Sequence, residues 1–538
     1  MAFLRAEKKR SGTYLRIVSN KKVAGKVRQQ TLHSLGKVED YSAEQLEALA
    51  KKLLEFAGKS FDELLETALQ ELARYNYGFP LMVSYLWKKF DLGKFFKRER
   101  SRKKIKFDVE NVLKLLICER MAEPVSKHCS FHRQEDYIGL DTVDLHHCYR
   151  SLDFLDDIQE ALQKHLFHHQ RNLFNTSLDV VFYDVTTLYF DSQHPQNEEG
   201  LRQKGYSKDG KVHKLQVVLG LLVDRQRNPL GYQVYQGNKY EGDTFKDGLD
   251  RLKTQYGIDK VVVVADRGML SEKNIGLVLG NGYDYIIGER LKRLPVKVQD
   301  ELLDSSKHKT FALNDDQKTG AYTYATTTYK DRKVICTYSE KRARKDAHER
   351  EKLIEKAKKP IQEPSLIKQK QKSGSQKYIQ QQSGQQEKYL LDEQKINHDS
   401  KYDGFLAIST NDKEINVEQL LEQYNNLFQV EHAFRTLKSM VKIRPMFHWT
   451  DKRIKGHIAL CFITYTFINY LTKGLSLTEK ELQRCLDKMQ LSKVGNGEQA
   501  PFFLRSSIDP TTAEIIRKLA LVVPKDTASQ KAINQILR

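Results

Sequence analysis

Cysteine is scarce in this chain. Its six residues, at 118, 129, 148, 336, 461 and 485, show no C-x-x-C spacing in 538 positions. That argues against a disulfide scaffold and a zinc ribbon, and it fits a reducing compartment. Long apolar runs are also missing. The longest, IALCFITYTFINYL at 458–471, reads as too short and too polar to span a bilayer. The opening MAFLRAEKKRSG has charge but no apolar centre, so no signal peptide is expected and the location reads as cytoplasmic. Gly205, Lys208 and Gly210 make no phosphate loop, because the G-x-x-x-x-G run is not followed by Lys-Ser/Thr; ATP use gains no support. His128, Cys129, His132, His146, His147 and Cys148 lie close in sequence, yet their spacing fits no standard zinc finger. Acidic residues are outnumbered: 70 Asp and Glu face 90 Lys and Arg, a formal charge of +20. A soluble chain this basic commonly has a polyanionic partner, above all nucleic acid.

What is present is a change of pattern along the chain. Residues 14–35 suggest two short strands, YLRIV and KVRQQTLH. Ser42 with Gln45 then opens a helix over 42–57 by capping-box spacing. From about 70 to 176 the pattern is helical, with a basic run, KRERSRKKIK at 97–106, suited to phosphate contact. The centre reads as strands at 180–190, 212–224 and 232–236, a helix at 244–257 capped by Asp243, a strand VVVVAD at 261–266, a helix from Ser271 and a strand DYIIGE at 284–289. Three meandering strands leading into β-α-β units is the element order of a ribonuclease H-like α/β fold. Strands YTYATTTY and KVICTY and a charged helix at 341–359 follow. A Gln/Lys/Ser-rich segment to about 388 then reads as a mobile loop or arm. FLAIST at 405–410 restores the pattern, and Asn416 caps a long helix to about 440. The domain plan is therefore a small strand-plus-helix segment at 1–70 and a helical DNA-binding region at 71–176. A catalytic core at 177–290 and 402–475 is interrupted by an insertion at 291–401, and a C-terminal region covers 476–538.

The chemistry-bearing residues are carboxylates. Asp184 sits inside VVFYDVTTLYF and Asp266 at the end of VVVVAD, where the crevice of an open α/β sheet lies. Glu431 stands in YNNLFQVEHAFRTLK at 424–438. Three hard oxygen donors without a His/Cys set select Mg²⁺ or Mn²⁺, and two such ions suit in-line phosphoryl displacement. An aspartate in an apolar strand is tolerable when a cation neutralises it. Plainer readings pair Asp184 with backbone N–H groups or an arginine, Asp266 with Arg267 and Glu431 with Arg435. Tyr424, Glu431 and Lys438 are spaced by seven and should share a helix face, with Arg435 on the same side.

At these residues the chain resembles the DDE-type transposases of bacterial insertion sequences, in the branch with a strand-rich insertion before the catalytic glutamate. DVTTLYF at 184–190, GNKYEGDTF at 237–245, VVVADRGMLSEKNI at 262–275, YNNLFQVEHAFRTLK and RPMFHWTDKRIKGHIALCFI at 444–463 carry the resemblance. It implies catalytic, metal-binding roles for Asp184, Asp266 and Glu431, with Mg²⁺ or Mn²⁺, two ions, as cofactor. It also implies DNA contacts through Tyr424, Arg435, Lys438, Arg267 and Arg444. Leu427 stands where the family's Tyr-Arg-Glu-Lys signature has arginine, and Arg435 is the candidate substitute. The partners implied are double-stranded terminal inverted repeats and target DNA, bound by a homodimer or larger assembly. Other readings remain: a ribonuclease H-like nuclease of resolvase type, a tyrosine recombinase using Tyr424, and a non-catalytic DNA-binding protein.

Overall fold

The computed structural model describes residues 2–9, 11–23, 26–58, 70–174, 179–191, 199–205, 214–258, 261–269, 271–312, 321–363, 374–381, 389–495 and 501–537. The protein is mixed α/β and divides into two compact units. The smaller comprises 1–75, 491–506 and 524–533, and the larger 76–490, 507–523 and 534–538.

The smaller unit opens on three antiparallel strands, Ala2–Lys9, Gly12–Val23 and Lys26–Lys37, where two short strands were expected. The first escapes sequence reading because Arg5, Glu7, Lys8 and Lys9 break the apolar alternation; Glu7 instead pairs with Arg16 at 3.1 Å. The helix Ala43–Phe56 has the expected capping box between Ser42 and Gln45. Gln70–Asn76, expected to be helical, is a strand of a four-stranded sheet with Gln490–Gly495, Phe502–Arg505 and Thr527–Ala528.

In the larger unit, Asp451–Leu475 is the central helix, packed against Val109–Ala122 and Leu145–Phe174. The stretch expected to be too short to span a bilayer is part of this 25-residue helix, which length and composition would allow to cross a membrane. It is instead a core helix: 78% of its apolar window is buried inside the protein. Arg120, buried on the Val109–Ala122 helix, donates to the carbonyls of Val441 (3.0 Å) and Lys442 (3.2 Å), tying the helical body to the chain just before Arg444.

Beside this body lies a sheet of ten strands among the described residues. Val180–Tyr189 is central. It pairs in parallel with Val262–Ala265, which pairs in parallel with Asp284–Glu289. On its other side Leu215–Asp224 runs antiparallel and carries both Pro229–Gln236 and the short Gln203–Lys204. Strands 180–189 and 215–224 are buried on both faces, as continuous apolar runs in a covered sheet should be. The turn before Pro229 is closed by Asp224, whose carboxylate accepts from the N–H of Gln226 (2.9 Å) and Asn228 (2.8 Å).

Beyond Asp284–Glu289 the sheet continues. Phe405–Thr410 pairs antiparallel with it and with Arg332–Tyr338, and Ala321–Tyr329 and Lys309–Ala312 follow. Strands from the stretch before residue 340 are thus continuous with those of the centre. The helix Glu241–Thr254 begins at Tyr240, not at Asp243, whose N–H donates to the Tyr240 carbonyl (3.0 Å). Part of the low-complexity segment is ordered, against expectation: Gly374–Tyr378 forms a 3₁₀ turn and Ile379–Gln381 pairs with Tyr389–Leu391. The physical reason is one aromatic anchor. Tyr378 is buried and donates to Asp399 (3.1 Å). The remainder of that expectation, at 364–373 and 382–388, lies outside the described residues.

The long helix expected from Asn416 to about 440 is two helices, Val417–Asn425 and Phe428–Ser439. Asn416 caps the first as expected, accepting from Gln419 N–H at 2.7 Å. At the junction Leu427 N–H reaches the Tyr424 carbonyl (3.0 Å) and Val430 N–H the Leu427 carbonyl (3.2 Å), three residues back rather than four. Asn425 and Asn426 are weak helix formers, so a tightened turn there costs little.

Candidate active site

The site begins at the sheet. In the parallel ladder Tyr183 pairs with Ala265, so the next positions on the two chains are Asp184 and Asp266. Neighbouring strands are roughly 5 Å apart, which places the two aspartates side by side. Asp184 is half-buried and Asp266 exposed just past its strand's end. Each accepts a hydrogen bond from the following residue's N–H, Val185 (2.7 Å) and Arg267 (2.7 Å).

Glu431 arrives from the second of the two helices. It stands in that helix's first turn, a favourable place for a carboxylate because the unpaired N–H groups there carry partial positive charge. Val430, Ala433 and Leu437 bury the other side of the helix. Asp184 and Glu431, 247 positions apart (431 − 184), line one cavity of about 500 Å³ with Arg435, Lys438 and Arg444. The ion pair of Glu431 with Arg435 weighed from sequence does not form among the described residues. Arg444 is held by stacking on Tyr189 (5.1 Å to the ring centre), and Lys438 lies over Phe434 (5.9 Å).

Tyr424 and Arg267 lie elsewhere. Both line a larger neighbouring groove of about 1720 Å³. The break at Asn426–Leu427 separates Tyr424 from the helix face that Glu431 and Lys438 share, correcting the heptad expectation. Tyr424 nonetheless links the acids: burial, then the charge of Asp266, with Glu431 further down, pushes its hydroxyl up to about 12. Gly288 makes the room. A Cβ there would meet the Tyr424 hydroxyl at 2.4 Å.

Sequence reasoning missed Thr186, Tyr189 and Ser439, which also line the cavity. Thr186 was recoverable, being two residues from Asp184 on the same strand face. Phe434 was assigned to the core and does both jobs: it is 5% exposed and borders the cavity.

A divalent cation fits this donor set. The three side chains offer hard oxygens, and no thiolate or imidazole lines the cavity. Asp144, His146 and His147 form a second possible ligand group, with donor atoms all within 4.8 Å of one another. Sequence spacing gave no reason to expect it, because its third member is an aspartate rather than a cysteine.

Residues 175–467, which are 293 of 538 positions (467 − 175 + 1), match the transposase DDE domain family. The chain belongs to the DDE-type insertion-sequence transposases, enzymes that cleave and join DNA and use divalent metals. Residues 4–67 match the N-terminal domain of the IS1634 family transposases. None of the curated proteins compared with the chain matches it.

Proposed function

We propose that this transposase binds the inverted-repeat ends of its insertion sequence, hydrolyses the phosphodiester at each end, and joins the freed 3′-hydroxyls to target DNA. The catalytic unit is read as a ribonuclease H-like core, with Asp184, Asp266 and Glu431 holding two Mg²⁺ or Mn²⁺ ions. The carrying observation is the convergence of two distant carboxylates and three cations on one cavity, with Asp266 next to Asp184 by strand register. Bound there, the ions would activate the attacking oxygen and stabilise the leaving one. The protein's own side chains do the rest. The aspartates are held by the sheet ladder, so the ligand charge is fixed before DNA arrives. Arg435, Lys438 and Arg444 offer five-donor and three-donor heads to phosphate oxygens and orient the scissile group. Arg435 takes the place of the signature arginine missing at Leu427. The N-terminal region to about 176 recognises the ends, and a homodimer or larger assembly pairs them in the cytoplasm.

Tyr424 is a poor nucleophile in this setting. Its hydroxyl, raised to about 12 by burial and by the charge of Asp266, is overwhelmingly protonated at neutral pH. That weighs against the recombinase reading.

The test is isosteric removal of charge. Asp184→Asn, Asp266→Asn and Glu431→Gln should each abolish cleavage and joining in Mg²⁺ while gel-shift binding to the ends persists. Substantial turnover by any one variant would remove that residue from the site. Supplying pre-cleaved ends with a target plasmid separates transposase from nuclease: a nuclease leaves them unjoined.

A further inference from the structure

We infer that the larger groove beside the cavity holds the donor DNA strand on the far side of the scissile phosphate, the flank outside the element's end. This rests on the transposase reading above and adds where the flank runs and which residues grip it.

The groove begins at the residue next to Asp266. Arg267 directly follows Asp266, and Arg290 Nε donates to the Arg267 carbonyl (3.3 Å). Tyr424 borders the groove and feels both Asp266 and Glu431. From there the lining continues through Arg293 and Lys341, both exposed.

Charge pairing singles out these four cations. Other basic groups of the groove already have acids: Lys292 and Lys377 each reach Asp399 at 2.8 Å, and Arg344 reaches Glu340 at 2.7 Å. Those two lysines hold the Asp399 carboxyl well below the usual range although its burial works the other way. Among the described residues Arg267, Arg290, Arg293 and Lys341 have no carboxylate partner. Four uncompensated cations in one concavity raise its potential, and a polyanion relieves that repulsion.

Two separate basic surfaces give a strand two ways to leave the carboxylates. A strand whose phosphodiester lies across three carboxylates must leave them on two sides. Arg435, Lys438 and Arg444 mark one side. The groove marks the other, and Arg267 and Tyr424 at its mouth account for the two expected DNA contacts that do not reach the cavity.

The experiment uses full-length protein and two duplexes carrying the element's own terminal repeat. One is pre-cleaved at the end and the other continues about 20 base pairs into flank. Arg290→Ala/Arg293→Ala should lower the salt slope of binding to the flanked duplex by about two units. Binding to the pre-cleaved duplex should stay at the wild-type slope, which also shows that the variant is folded. Arg290→Lys/Arg293→Lys should restore the flanked slope, because charge is what the contact needs. An unchanged flanked slope overturns the inference, and so does an equal loss on both duplexes, which would put these arginines on the element side or in the fold. If wild-type protein cleaves the flanked end normally in either case, the proposed function stands without the groove. If wild type cleaves neither flanked nor target DNA in Mg²⁺, both fall together.

Discussion

The two halves of the carboxylate site are held by different physics. Asp184 and Asp266 ride on paired parallel strands whose register is set by backbone hydrogen bonds and buried on both faces. A slip by one residue would turn every apolar side chain of the strand around, so the aspartate positions are strongly specified. Glu431 has no ladder. It depends on the packing of a twelve-residue helix, and on a break that frees this helix from the one before it. One carboxylate cluster can thus contain a rigid pair and a steerable third member, and only the third should respond to packing changes around it.

The largest effect should come from a matched pair of truncations. Leu188 on the Asp184 strand is fully buried and Leu437 on the Glu431 helix 2% exposed, so Leu→Ala at either should cost about 2–5 kcal/mol of stability. At a temperature where both variants remain folded, Leu437→Ala should slow cleavage by about tenfold, the cost of misplacing a catalytic group by a fraction of an ångström. Leu188→Ala should leave the rate near wild type, because the ladder keeps Asp184 in register. Thermal melts beside single-turnover cleavage give both numbers, and equal rate losses would erase the contrast.

Next comes the contact between Gly288 and Tyr424. Gly288→Ala forces a methyl onto the Tyr424 hydroxyl, an overpacking cost of about 1–3 kcal/mol. Combining it with Tyr424→Phe removes the colliding oxygen, so the double variant should recover stability relative to Gly288→Ala. A double variant no more stable than the single one would show that Tyr424 does not occupy the space Gly288 leaves.

The smallest effect concerns contact rather than chemistry. Lys438→Ala should reduce the salt slope of end binding by about one unit, as loss of one phosphate contact does, and slow cleavage without removing its metal dependence. An unchanged slope with normal cleavage would mean that the lysine never touches DNA.

How much of this was legible in sequence follows the same division. VVVVAD and DYIIGE announced themselves, since continuous apolar runs with β-branched residues have few other uses. Asp184 could be named as the one charge inside such a run and Asp266 from its position at the end of another. The helix break could not, because Asn426 and Leu427 keep helical backbone angles and the apolar spacing passes through them undisturbed. Continuation of the sheet through Phe405–Thr410 was equally hidden, since strand order is a long-range choice that local pattern does not encode. Ala2–Lys9 was lost to its charges, and Tyr378 shows that one buried aromatic can order a segment whose composition reads as an arm.

The central claim is that Asp184, Asp266 and Glu431 hold metal together. Fe²⁺ substituted for Mg²⁺ in the end complex, with ascorbate and peroxide, cuts the polypeptide wherever the ion sits, and mass spectrometry locates the cuts. The account predicts cuts near 184, 266 and 431 in the same molecules, all suppressed by excess Mg²⁺ and by Glu431→Gln. Cuts confined to the neighbourhood of Asp144, His146 and His147, with none near the three carboxylates, would contradict it.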